Sequence, residues 1–173
     1  MTGNAQQLII SGIGGQGILF ITRLLAETAI AMGMAVLTSE THGMAQRGGI
    51  VVSHLKIGDF TSPLVRPGQA DGLLSLKGET VLLHKHFLRP EGWSVANSRS
   101  SQAARFTVDA DAAALILGNP QAVNLIVLGR ALANSGLLFC HREQVEAALV
   151  TKLTAKPKLL EGALAALHIG ITG

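Results

Sequence analysis

One hexapeptide restricts this chain more than any other part of it: Gly12-Ile13-Gly14-Gly15-Gln16-Gly17. It follows a short apolar run, Gln7-Leu8-Ile9-Ile10-Ser11, which reads as a buried strand. It precedes a stretch with Ile18, Ile21, Leu24, Leu25, Thr28 and Met32 on one face, which predicts a helix over 16–32, stopped by Gly33. A G-x-G-x-x-G between a strand and a helix permits a tight turn and close backbone approach. It also leaves the free N–H groups of a helix start facing whatever lies above the strand. Two uses fit. The loop holds an anion or nucleotide, or its glycines let it pass close to a neighbouring backbone or subunit. It is not a P-loop, because Ile18 stands where the lysine would be.

The rest of the chain alternates in the same manner. Strands are expected over 34–38, 50–57, 72–76, 93–96 and 105–108, and helices over 79–87, 119–135, 142–153 and 157–170. Asp109 caps a further Ala-rich helix, Asn119-Pro120 reads as cap and first helical residue, and Pro90 and Gly92 end the 79–87 helix. This order predicts one α/β domain over 1–173: a three-layer αβα fold, mostly parallel, Rossmann- or flavodoxin-like. The link between 34–38 and 50–57 is too short for a helical crossover. An antiparallel pair there would make the sheet mixed.

Composition narrows the function classes. Apolar residues are 48% and charged residues 14%, against about 25% charged in a typical domain. With a net charge of +3, disorder is excluded. The cations are scattered and aromatics are only 3%, which argues against nucleic acid. The apolar stretches carry Arg23, Glu27 and Arg130, which argues against a membrane span, and the cytoplasm is the expected compartment. Cys140 is the single cysteine, so a disulfide framework or a cysteine-ligated cluster on this chain alone is excluded. Little charge and much apolar surface predict a covering partner chain, and leave a homodimer of the isolated chain open.

A second segment carries chemistry: Glu40-Thr41-His42-Gly43-Met44-Ala45-Gln46-Arg47-Gly48-Gly49, read as part of an irregular loop from Ser39. Its His, Gln and Arg suit an anion or a polar substrate group, and equally a docking contact. Both segments follow strands, so they are expected at one sheet edge. Glu40 is also a candidate for a ribose hydroxyl. No catalytic constellation is visible. The histidines lack metal spacing, and Cys140 reads as a packed residue rather than a nucleophile.

Taken together, Gly12–Gly17, Ser39–Gly49 and Val52-Ser53-His54 resemble the gamma subunit, or gamma domain, of 2-oxoacid:ferredoxin oxidoreductases. The nearest likeness is to the small subunit of the indolepyruvate enzymes. Ala70-Asp71, Asn97 and Asn124-Leu125-Ile126-Val127-Leu128-Gly129 extend the likeness. Lys77-Gly78-Glu79, His84-Lys85-His86 and Gly162, where the family often has Asn, depart from it.

The resemblance implies a subunit, inactive alone, of a complex that oxidatively decarboxylates a 2-oxoacid to an acyl-CoA and reduces ferredoxin. Thiamine diphosphate and iron–sulfur clusters would lie on thiamine-binding and ferredoxin-like partner subunits. The expected contacts are Gly12, Gly14, Gly15, Gln16 and Gly17, with Glu40, Thr41, His42, Gly43, Met44, Gln46, Arg47 and Gly48, serving coenzyme A or a partner. The other expectation, from the glycines and Glu40, is a free-standing nucleotide- or coenzyme A-binding protein.

Overall fold

The computed structural model describes residues 5–42 and 48–173. Six strands form one sheet in the order β2-β3-β1-β4-β5-β6. They are β1 (Gln6–Ile13), β2 (Val36–His42), β3 (Ile50–Ile57), β4 (Ala70–Ser75), β5 (Leu88–Asn97) and β6 (Phe106–Val108). β1, β4, β5 and β6 pair in parallel, whereas β3 runs antiparallel to both β1 and β2. The sheet is therefore mixed, and β3 lies between the first two strands in chain order.

The apolar run in β1 explains the layering. Leu8, Ile9 and Ile10 are successive and fully buried, which requires cover on both faces. Leu8 and Ile10 join Leu55, Leu74 and Val95 beneath the larger helical layer. In that layer α1 (Ile18–Ala31) and α4 (Val123–Leu132) meet the sheet, and α5 (Arg142–Leu153) and α6 (Pro157–Thr172) pack on them. α3 (Ala110–Ile116) stands beside α4. Ile9, Leu73 and Ala96 point the other way, to Val65 and to Val81 of the short α2 (Thr80–His84).

Capping follows the local sequence. Asp109 accepts the Ala112 N–H at 3.1 Å, and Asn119 accepts that of Gln121 at 3.2 Å. Gly33 takes φ 76° after α1, a left-handed conformation costly to other residues.

Several boundaries move. Ser39 to His42 belong to β2 rather than to a loop, because β3 pairs with them over the whole of 36–42 and the ladder outweighs their polar composition. Pro90 and Gly92 lie inside β5, not after a helix; the β4–β5 register shifts between Ala70 and Gly72, where a proline without an N–H is tolerated. The helix expected over 79–87 divides into α2 and a 3-10 turn, Lys85–Phe87. Likewise, 119–135 opens with a 3-10 turn, Pro120–Ala122, before α4.

Candidate functional site: the cleft beside the glycine loop

The glycine loop occupies the carboxyl end of β1, where the sheet changes direction of winding. α1 leads toward one edge and α2 toward the other, on opposite faces, so the crevice between β1 and β4 is a topological switch point. Gln16 spans it. Its Oε1 accepts the Ile13 N–H at 2.8 Å, and its Nε2 donates to the Leu76 carbonyl at the end of β4 at 3.1 Å.

The glycines have separate reasons. Gly12 is buried, and a Cβ there would lie 2.6 Å from Gln16 Oε1 and 3.0 Å from Leu76 Cβ. Gly17 caps α1 at φ 80°, and a Cβ on it would overlap the Asn124 side-chain nitrogen. Asn124 in turn donates to the Gly17 carbonyl at 3.4 Å. Gly15 has φ 98° with open space around it. Gly14 is different: a Cβ there would first meet Gly49 O at 3.6 Å, an ordinary contact, so an added Cβ meets no clash.

The two loops do converge. The Gly14 N–H donates to the Gly49 carbonyl at 2.9 Å, so the end of the second segment lies against the first. Gly48, at φ 86°, supplies the turn. Gly43, Met44, Gln46 and Arg47 lie outside the described residues, as does the His42 side chain. Glu40 and Thr41 sit on β2, at the sheet edge, with β3 between them and β1. Two strand spacings of about 4.8 Å separate Glu40 from the glycine strand, so it is not placed as the acidic residue of a simple βαβ nucleotide unit.

A cleft of about 310 Å³ opens beside the loop. Gly15, Gln16 and Gly17 form one wall, Asn119, Gln121 and Asn124 bring side-chain amides, and Phe20, Leu125, Leu153 and Leu159 make it apolar. Gly162 of α6 faces Asn119 with room between, since a Cβ on it would stand 3.7 Å from Asn119 Nδ2. Among the described residues no charged side chain lines it. A ligand held there would be recognised by amide hydrogen bonds, apolar contact and the N–H groups opening α1. In the sequence Asn119 reads only as a helix cap, and Asn124 as part of a helix. Long-range packing of α4 and α6 against the loop brings them here.

A wider cleft, about 640 Å³, lies past the ends of β4 and β5. Its cations are committed to acids within it: Lys77 to Glu79 at 4.0 Å and Arg99 to Asp109 at 2.8 Å. Asn97 closes its floor, donating to the Leu76 carbonyl at 3.2 Å and accepting the Ala110 N–H at 3.0 Å.

His54 and His84 are structural groups in this arrangement. His54 accepts the Val65 N–H on Nδ1 at 3.2 Å and stacks edge-on against Phe87. Burial lowers its pKa, helped by His84 and Lys56. His84 is lowered by burial and then by His86, against a rise from the Thr80 carbonyl, and its buried Nδ1 makes no well-formed hydrogen bond. Among the described residues no group of three His, Cys, Asp or Glu is placed to hold a metal ion. Cys140 is buried and its thiol is pushed up to about 12, so it is not a nucleophile at neutral pH. Among the described residues no helix is long and apolar enough to cross a membrane.

Comparison with known proteins places this geometry. Over 92 residues the chain is 40% identical to the indolepyruvate oxidoreductase subunit IorB of Archaeoglobus fulgidus, covering 53% of this chain and 46% of that protein. It is 26% identical to IorB of Thermococcus kodakarensis over 95% of this chain and 93% of the other. The fold matches the keto/oxoacid ferredoxin oxidoreductase gamma subunit of Geobacter sulfurreducens, with TM-score 0.74, 24% identity and 96% of each chain covered. It also matches the 2-oxoglutarate:ferredoxin oxidoreductase of Magnetococcus marinus, solved with 2-oxoglutarate, coenzyme A and succinyl-CoA, at TM-score 0.77 and 18% identity. That match covers 97% of this chain and 30% of the other. The pyruvate ferredoxin/flavodoxin oxidoreductase family model matches residues 7–172, and the chain belongs to that family.

Proposed function

We propose that this chain is the gamma-type subunit of a thiamine diphosphate-dependent 2-oxoacid:ferredoxin oxidoreductase complex of the indolepyruvate kind, and that the cleft beside Gly15–Gly17 receives coenzyme A. Decarboxylation and electron transfer would be supplied by thiamine diphosphate and iron–sulfur clusters on partner chains. The residues of this chain bind, orient and exclude water. The observation that carries the reading is the cleft's described lining, where amide side chains face an apolar wall. The acyl-carrying arm of coenzyme A has two amides and one hydroxyl on an otherwise apolar stem. Gln16, Asn119 and Asn124 fit those amides, and Phe20, Leu125 and Leu159 fit the stem. The apolar, sparsely charged composition supports a life inside a complex.

The test is reconstitution with a thiamine-binding large subunit. The expected result is a stable complex whose oxoacid- and coenzyme A-dependent ferredoxin reduction disappears when this chain is left out. Asn119→Ala should raise the apparent KM for coenzyme A roughly tenfold, as loss of one or two hydrogen bonds would. Unchanged turnover without this chain, and no association with any thiamine-dependent partner, would overturn the reading.

A further inference from the structure

On the reading that coenzyme A enters the cleft beside the glycine loop, we infer that Gly162 is a specificity-determining residue of that cleft: the notch it leaves in α6 admits an amide of the acyl-carrying arm and lets the amide carbonyl reach Asn119. Gly162 lies in the interior of the 16-residue α6, where only proline is less favourable than glycine. Two ordinary reasons for such a glycine are missing. Its φ is not left-handed. No backbone crowds it either: among the described residues a Cβ would first meet Asn119 Nδ2 at 3.7 Å, an ordinary contact. Gly170 of the same helix is the contrast, because a Cβ there would overlap the Ile126 carbonyl of α4. Packing accounts for Gly170 and does not account for Gly162.

What Gly162 opens is space inside the cleft. Leu159, one turn earlier on the same wall, is half exposed, whereas Ala163 and Ala166 are buried, so the wall steps down at Gly162. Asn119 stands opposite. Its Oδ1 is held by the Gln121 N–H at 3.2 Å, which fixes the orientation of the amide. Its Nδ2 makes no hydrogen bond among the described residues, and this is the atom nearest the missing Cβ. Gln16 and Asn124 differ, since each already bonds within the protein through both amide atoms and keeps only its second donor and acceptor capacity. A whole N–H₂ group facing a bare stretch of helix backbone selects a ligand group that is an acceptor, planar and thin. The amides of the coenzyme A arm have those properties: the carbonyl accepts from Asn119 Nδ2 while the flat face lies against α6. A larger side chain at 162 would fill the notch and cover the donor.

The test reads folding, binding and turnover separately. Gly162→Ala has room for its methyl group and gains helix propensity, so the Tm of the full chain should rise by about 2–4 °C. Gly162→Leu should assemble with the thiamine-binding large subunit and keep the KM for the oxoacid. It should weaken coenzyme A at least tenfold, both in Kd by calorimetry on the assembled complex and in KM. A fall in Tm for Gly162→Ala would show that packing needs the glycine, and would overturn the proposal. So would a Gly162→Leu complex that binds coenzyme A as the unaltered one does. Failure of Gly162→Leu to assemble would give the notch to a partner chain, with the same consequence. Asn119→Ala separates this proposal from the wider reading of the cleft. If it weakens coenzyme A while Gly162→Leu does not, the cleft is the site and Gly162 selects nothing. If Gly162→Leu acts and Asn119→Ala is silent, the notch does not serve that donor and the proposal fails. If neither alters coenzyme A binding, the reading of the cleft fails with it.

Discussion

Gln16 and Asn97 donate to the same acceptor, the carbonyl of Leu76, from opposite sides of β4. One side chain belongs to the glycine loop after β1 and the other to the end of β5. A single carbonyl thus fixes the relative height of three strand ends, and with them the walls of both clefts. Gln16→Leu removes this bond and the one to the Ile13 N–H. Two part-buried hydrogen bonds predict a loss of about 1–3 kcal/mol. Urea unfolding measures that loss, and hydrogen exchange should show faster exchange at the amides of Ile13 and Gly14.

Gly17 and Gly14 should respond in opposite ways to the same added methyl group. Gly17→Ala meets a left-handed φ and the Asn124 side chain together, and a cost of about 2–4 kcal/mol is expected. Gly14→Ala has room and needs no left-handed backbone, so a change within about 1 kcal/mol is expected. Parallel urea titrations of the two variants check the contrast.

α4 and α6 touch through glycine. A Cβ on Gly129 would overlap the Leu167 carbonyl, and one on Gly170 would overlap the Ile126 carbonyl. In an isolated helix each Gly→Ala change would stabilise by about 1 kcal/mol. Here the helices must move apart, so Gly129→Ala and Gly170→Ala should each be net destabilising, by about 1–3 kcal/mol. A fall in Tm for both variants is the expected reading. A rise in either would mean that the close approach is not needed.

The far face of the sheet should be acid-sensitive. His54 and His84 both have pKa values lowered in the folded chain, chiefly by burial. Below the unfolded value of about 6.5 the unfolded state binds more protons, so stability is complete above that pH and falls beneath it until the lowered folded values are passed. The slope approaches about 1.4 kcal/mol per pH unit for each histidine. Unfolding free energies at pH 7.5, 6.5 and 5.5 measure it. His54→Leu should flatten the slope while lowering stability at pH 7.5, because the Val65 N–H loses its acceptor.

Local chemistry made much of the fold legible in the sequence. The run Leu8-Ile9-Ile10, the glycines that follow it, the caps at Asp109 and Asn119, and the antiparallel pairing forced by a short link all act over a few residues. They dictate a mixed α/β sheet with the glycine loop at a strand end, and the paired loops point to the family. Long-range packing decided the rest. β3 drew Ser39–His42 into a strand and set Glu40 at an edge, two strands from the loop it would have served. The α4–α6 contact brought Asn119 and Gly162 to a cleft more than a hundred residues from the glycines that form its other wall. Which glycine needs to be glycine also depended on distant neighbours: Asn124 crowds Gly17, whereas Gly14 has space. Periodicity, capping and turn chemistry report only what lies within one helical turn or one hairpin; proximity between distant segments exists only once the core has closed.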